Sequence, residues 1–147
     1  MEVRDVDAAA ARRMFAGLPA VSVATLNADG SPHVVPLWFV WPKESLFIST
    51  RREGRTWRNV AADPRVAIAV DLGRAWVEIA GIEVRGRAEL LPAEHEQMRG
   101  PISAWHEKYR PLMTGEGFGR LTEEIATLGF LRVVPERISA WDHARGD

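Results

Sequence analysis

Between positions 21 and 27 the chain alternates. Val21, Val23 and Thr25 fall on one side and Ser22, Ala24 and Leu26 on the other, the period-two pattern of a strand. Asn27-Ala28-Asp29-Gly30 signals a turn, and Pro32 stands where a strand can start without losing a ladder bond. The run HVVPLWFVW, residues 33–41, reads as one long strand buried on both faces, with Pro36 marking an edge, a bulge or an unpaired position. Pro42-Lys43-Glu44-Ser45 makes the next turn, and residues 45–50 form a third strand. The three strands are expected to form a meander. Residues 65–71, 76–91 and 130–141 carry β-branched and apolar residues typical of strands. Gly81 and Gly86 predict bends or bulges, as closure into a barrel requires, and Pro135 predicts another edge or bulge.

Helical segments punctuate this pattern. Residues 5–16 are alanine-rich, with Asp5 or Asp7 as the cap and Gly17 and Pro19 as the stop. A short helix is predicted over 54–64, ending at Asp63 because Pro64 follows it. Residues 93–110 read as a helix interrupted around Gly100-Pro101, and 121–128 as another. Gly115 to Gly119 reads as a loop, and the segment 113–119 is placed where a lid would lie. The sum is a mainly β chain with helices, about six strands closing into a barrel.

Composition narrows the field. The 147 residues are 46% hydrophobic and 27% charged, which suits a single domain over 1–147 with a core of its own. The longest apolar stretch, Val34 to Trp41, is too short to cross a bilayer, and no signal pattern opens the chain, so a cytoplasmic protein without a membrane partner is expected. Cysteine is absent, which removes disulfides and thiolate chemistry. A net charge of −1 opposes whole-molecule attraction to nucleic acid. The four histidines show no metal-ligand spacing, and no nucleophile elbow is present. Gly115-Glu116-Gly117-Phe118-Gly119 follows no strand, so it is no dinucleotide fingerprint.

The segment STRREGRTWRNVAADPR, residues 49–65, is where chemistry is expected. Arg51, Arg52, Arg55, Arg58 and Arg65 face only Glu53 and Asp63 as acids. They sit where a strand passes through Gly54 into a helix, and a helix start offers free amides and a positive dipole end to an anion. Ser49 and Thr50 add hydroxyl donors, and Arg55 can hold a phosphate bidentately. Arg55 and Arg58, three apart, share a helix face, with Trp57 and Val60 turned toward the core. The competing reading is a solvated basic helix paired with acids elsewhere. No catalytic residue is assigned. Tyr109 and His33 are the proton donors in view.

The stretches PAVSVATLNADGSPHVVPLWF, LFISTRREGRTWRNVAADPRVAIAVD, IEVRGRAELL and RVVPERISAWD, in that order, resemble pyridoxamine 5′-phosphate oxidase-like split-barrel proteins, and in particular the actinobacterial branch that uses the deazaflavin F420. The resemblance spans about residues 15–143. It implies a six-stranded antiparallel split β-barrel, homodimeric, with a cofactor held at the subunit interface. It places His33, Val34, Val35, Pro36 and Leu37 along the cofactor ring. Ser49 and Thr50 would approach the phosphate-bearing tail, with Arg55 on the phosphate. The next position is usually lysine in the family and here is Thr56, so Arg51 or Arg58 would supply the missing charge; Asn59 also fits the pattern.

The resemblance implies an F420-dependent oxidoreductase that transfers a hydride to a small conjugated substrate, the arginine-rich segment suiting a polyanionic tail. The alternative is an FMN-binding oxidase or flavin reductase of the same superfamily. A second alternative is a non-catalytic barrel that carries a cofactor or binds another anion, such as haem propionates.

Overall fold

The computed structural model describes residues 3–142 apart from 74, 79, 114 and 116–126. Its strands are β1 (Val3–Asp5), β2 (Val21–Leu26), β3 (Pro32–Leu37), β4 (Phe39–Val40), β5 (Leu46–Arg51), β6 (Arg65–Leu72), β7 (Ala80–Pro92) and β8 (Leu128–Asp142). Among the described residues three α-helices accompany them: α1 (Ala8–Phe15), α2 (Arg55–Ala62) and α3 (Arg99–Tyr109). Six strands are long and two, β1 and β4, have three and two residues. The strands pair antiparallel in the order β3-β2-β6-β7-β8-β5-β4, with β1 on β8, a curled sheet of the split-barrel kind.

Alternation survives where one face meets the core. On β2, Val21, Val23 and Thr25 are buried, and on β6 so are Val66, Ile68 and Val70. β5 is instead buried from Leu46 through Thr50, because both of its faces are covered. Leu46 and Ile48 enter the barrel interior with Phe15, Val23, Ile82 and Val133. Phe47 joins a second cluster with Met98, Trp105, Tyr109 and Phe130, where α3 packs on the outside of the sheet.

Several expectations need correction. The run 33–41 is not one doubly buried strand. β3 ends at Leu37, and Val34 on it is 62% exposed. Nor do the first three long strands form a meander. β3 ends the sheet order beside β2, whereas β4 pairs with β5 at the other end. The chain crosses at Trp38, whose carbonyl accepts the Ser49 amide at 2.9 Å. Pro32 and Pro36 lack amides and suit β3 to an edge. Finally, Gly100-Pro101 does not interrupt a helix but lies in the first turn of α3, where a proline costs no hydrogen bond.

Other signals hold. Asp7 caps α1, accepting from the Ala10 amide at 2.8 Å, and α2 stops at Asp63, which is extended before Pro64. Gly30 adopts φ 83° in the turn after β2, a region that favours glycine. Gly86 and Pro135 meet at a bulge: Arg85 faces Arg137 and Gly86 faces Pro135, leaving Glu136 extra. Gly81 is no bend; it stays in register opposite Trp141, whose indole lies where a Cβ would sit. Strand β1 was not foreseen. The expected 121–128 helix, apart from Thr127 and Leu128, and most of the 113–119 lid lie outside the described residues; Leu128 opens β8.

Candidate functional site

The first turn of α2 sits against the end of β2. Its buried stripe is Thr56, Asn59 and Val60, so Trp57 does not turn into the barrel as expected. Its indole covers Gly129 of β8 instead, where a Cβ would lie 2.2 Å from the ring. Asn59 is 6% exposed and fastens the helix to the strand. Its amide donates to Thr25 Oγ1 at 3.1 Å and to Asn27 Oδ1 at 3.0 Å. Asn27 Oδ1 also receives a long contact from Arg55 Nη1 at 3.4 Å. Thr25 stands opposite His33 in the β2–β3 register. This chain of contacts brings the α2 N-terminus to the strand that carries His33, Val34, Val35, Pro36 and Leu37.

The arginine cluster divides sharply. Arg52 is spent within the fold, donating to the Leu128 carbonyl at 3.1 Å and pairing with Glu94. Arg65 is paired with Asp63 at 2.7 Å, and its hydrogen bonds hold the Asp63 carboxyl down at about 2. Arg51, Arg55 and Arg58 are exposed and have no carboxylate partner within salt-bridge distance among the described residues. The N-cap of α2 is Gly54, which offers no side chain to the free amides of the first turn. The Asp29 carboxylate is held below its usual range chiefly by the Ser31 hydroxyl and amide, with Arg55 a minor cause.

The other expected contacts fall differently. Thr50 and Thr56 are buried, at 8% and 4% exposure. Ser49 is already committed: its hydroxyl donates to the Trp38 carbonyl and accepts from Trp105 Nε1, both at 3.2 Å. Tyr109 is likewise a fastening. Its buried hydroxyl accepts from the Phe39 amide at 2.8 Å and lies 2.7 Å from the Pro19 carbonyl, to which it donates. Burial pushes it up to about 12, so it retains its proton rather than lending it. Its ring stacks on Trp38 at 4.0 Å. Sequence reasoning missed Thr25 and Asn27 as anchors. Asn27 was visible only as a turn residue, and Thr25 only as one side of an alternating strand. No group of potential metal ligands occurs among the described residues.

The chain belongs to the pyridoxamine 5′-phosphate oxidase family, whose pattern it matches over residues 8–142. No curated protein sequence matches it. Solved structures agree on the fold. A FAD-binding protein from Mesorhizobium loti is 23% identical with TM-score 0.72, over 95% of this chain and 96% of that one. An F420 reductase is 23% identical with TM-score 0.65, over 86% and 94%. The heme storage protein HutZ from Vibrio cholerae is 19% identical with TM-score 0.67, over 89% and 88%. Three different ligands on one fold at such identities leave the choice of ligand to the site.

Proposed function

We propose that the chain binds the deazaflavin F420 and uses it as an oxidoreductase on a small conjugated substrate. The observation that carries this reading is the division of the arginines. Arg51, Arg55 and Arg58 remain unneutralised around an uncapped helix start, beside an apolar strand with an open face. Free guanidiniums and first-turn amides suit a phosphate, and several of them suit a tail with more than one negative charge. The apolar face of β3, with Val34 exposed, suits a planar ring. When bound, the deazaflavin supplies the hydride chemistry.

The residues of the chain do the rest. Arg55 holds the phosphate, steadied through Asn27 and Asn59. Arg51 or Arg58 replaces the charge absent at Thr56. Thr50 borders the tail, and Ser49 acts from behind by fixing Trp38 and the end of β3. His33 to Leu37 carry the ring. A second copy of the chain covers the exposed face of β3 and closes the site, excluding water from the reaction. His33, half-buried on β3, is the remaining proton donor, since Tyr109 is locked into the fold.

FMN is the second reading, favoured by the family match and by the FAD-binding neighbour. A nucleic-acid site is disfavoured because Trp57, the aromatic within the arginine run, lies against Gly129. Fluorescence titration with F420, and separately with FMN, tests the proposal, with hemin followed by absorbance. Saturable F420 binding tighter than FMN binding supports it. FMN binding alone moves the chain to the second reading, and binding of hemin alone overturns both.

A further inference from the structure

Strand β5 ends at Arg51, in the arginine cluster. At its start, about 20 Å away along an extended strand, lies a depression that shares no residue with that cluster. Its volume is about 540 Å³, and Phe47 and Pro101 are among its apolar walls. Ser45 also lines it. This residue is 7% exposed, and its hydroxyl meets no hydrogen-bond partner among the described residues. Alternation turns Leu46 into the barrel and Phe47 outward, so Ser45 shares the outer face with Phe47. A buried hydroxyl is normally satisfied, and the space open to this one is the depression.

Three charged side chains border the depression, and they divide. Arg132 is engaged by Glu89 at 3.1 Å. Lys43 and Glu44 are exposed and have no ion-pair partner among the described residues. Helix α3 starts at the same edge: Pro101 lies in its first turn, and the N-cap Met98 supplies no side-chain cap. The positive end of the helix therefore adds to the charge of Lys43.

We infer that this depression binds an apolar α-amino acid as its zwitterion. Lys43 and the Ser45 hydroxyl take the carboxylate, Glu44 takes the ammonium, and Phe47 and Pro101 take the side chain. The Ser45 hydroxyl donates to the carboxylate, which gives it the partner it lacks within the fold. A ligand carrying both charges answers both free side chains. An anion alone would leave Glu44 facing a like charge, and a cation alone would do the same to Lys43. The volume falls within the range of about 300–1,000 Å³ usual for small-molecule sites. Binding is reversible, and no bond is made or broken.

The probe is L-phenylalanine, titrated into the native protein and followed by calorimetry. Hydrocinnamate and phenethylamine serve as comparisons, because each keeps the ring and only one of the two charges. Saturable binding of phenylalanine is expected, with each comparison compound at least about fivefold weaker. Ser45→Ala and Lys43→Met should each weaken phenylalanine binding about fivefold or more, and Lys43, being exposed, can be replaced without disturbing the fold. Arg55→Ala should leave it unchanged, since Arg55 belongs to the other site. No saturation up to about 10 mM, a comparison compound that binds as tightly as phenylalanine, or full affinity in both depression variants overturns the inference. A loss confined to Arg55→Ala places the amino acid among the arginines and overturns it as well.

Discussion

Replacing Asn59 with alanine tests how the arginine site is held. The side chain is 6% exposed and makes two hydrogen bonds, to Thr25 Oγ1 and to Asn27 Oδ1. Asn27 is only half-buried and can turn to water. Thr25 is 2% exposed and cannot, so its hydroxyl is left without this partner. An unmet buried polar group costs about 1–3 kcal/mol, which puts the loss near 2 kcal/mol. For a chain of this length that corresponds to a fall in Tm of about 4–8 °C. Asn59→Asp separates shape from chemistry: it keeps the volume, and the Thr25 hydroxyl can turn to donate to it, but the carboxylate faces the Asn27 oxygen and carries a charge into a buried place, so a loss of similar size is expected. Urea unfolding and calorimetry measure both variants. Cofactor binding should weaken as well, because Arg55 loses the Asn27 it leans on. An aspartate variant as stable as the wild type would refute the donor argument, and an alanine variant losing under about 0.5 kcal/mol would refute the fastening itself.

Further outcomes are expected elsewhere in the fold. Gly129→Ala drives a methyl group into the Trp57 ring and should cost about 1–3 kcal/mol by urea unfolding, recovered in part by Trp57→Leu. Ser49→Ala leaves the buried Trp105 indole without its acceptor; stability should drop by about 1–3 kcal/mol while cofactor affinity changes less than in Arg55→Ala. Two depressed or raised groups oppose each other in alkali. Folding lowers Lys108 to about 8, so the unfolded chain binds more protons above that pH and stability should rise from about pH 8 toward 10.5. Folding raises Tyr109 to about 12, so stability should fall as pH climbs from 10 to 12. Lys108→Met should abolish the rise and leave the fall; urea midpoints against pH read both.

Much of this was legible from pattern. β2 and β6 each bury one face, so alternation declared them, and the bulge at Gly86 and Pro135 was written in residues that suit such a site. The end of α2 followed from Asp63-Pro64. The run after Pro32 misled because apolar content reports covering without saying what covers. Val34 is apolar and yet open, and the crossing at Trp38 depends on pairing between residues far apart in sequence. The site was legible as a cluster of arginines but not as a division among them. Whether Arg52 meets Glu94 or Arg65 meets Asp63 is decided by tertiary distance. Ser49 illustrates the converse: a hydroxyl at the right place in the sequence is engaged by two tryptophans that the sequence does not place beside it.

The most direct test of the central claim compares Arg55→Ala with Arg65→Ala in a fluorescence titration with F420. The two residues lie in the same arginine-rich segment, and each variant removes one positive charge. Arg65 is neutralised by Asp63, whereas Arg55 is free to meet a phosphate. Arg55→Ala is predicted to weaken binding by about tenfold or more, the cost of about 1.5–3 kcal/mol for a lost charged hydrogen bond, with Arg65→Ala near wild type. Equal losses in the two variants, or none in either, would contradict the account.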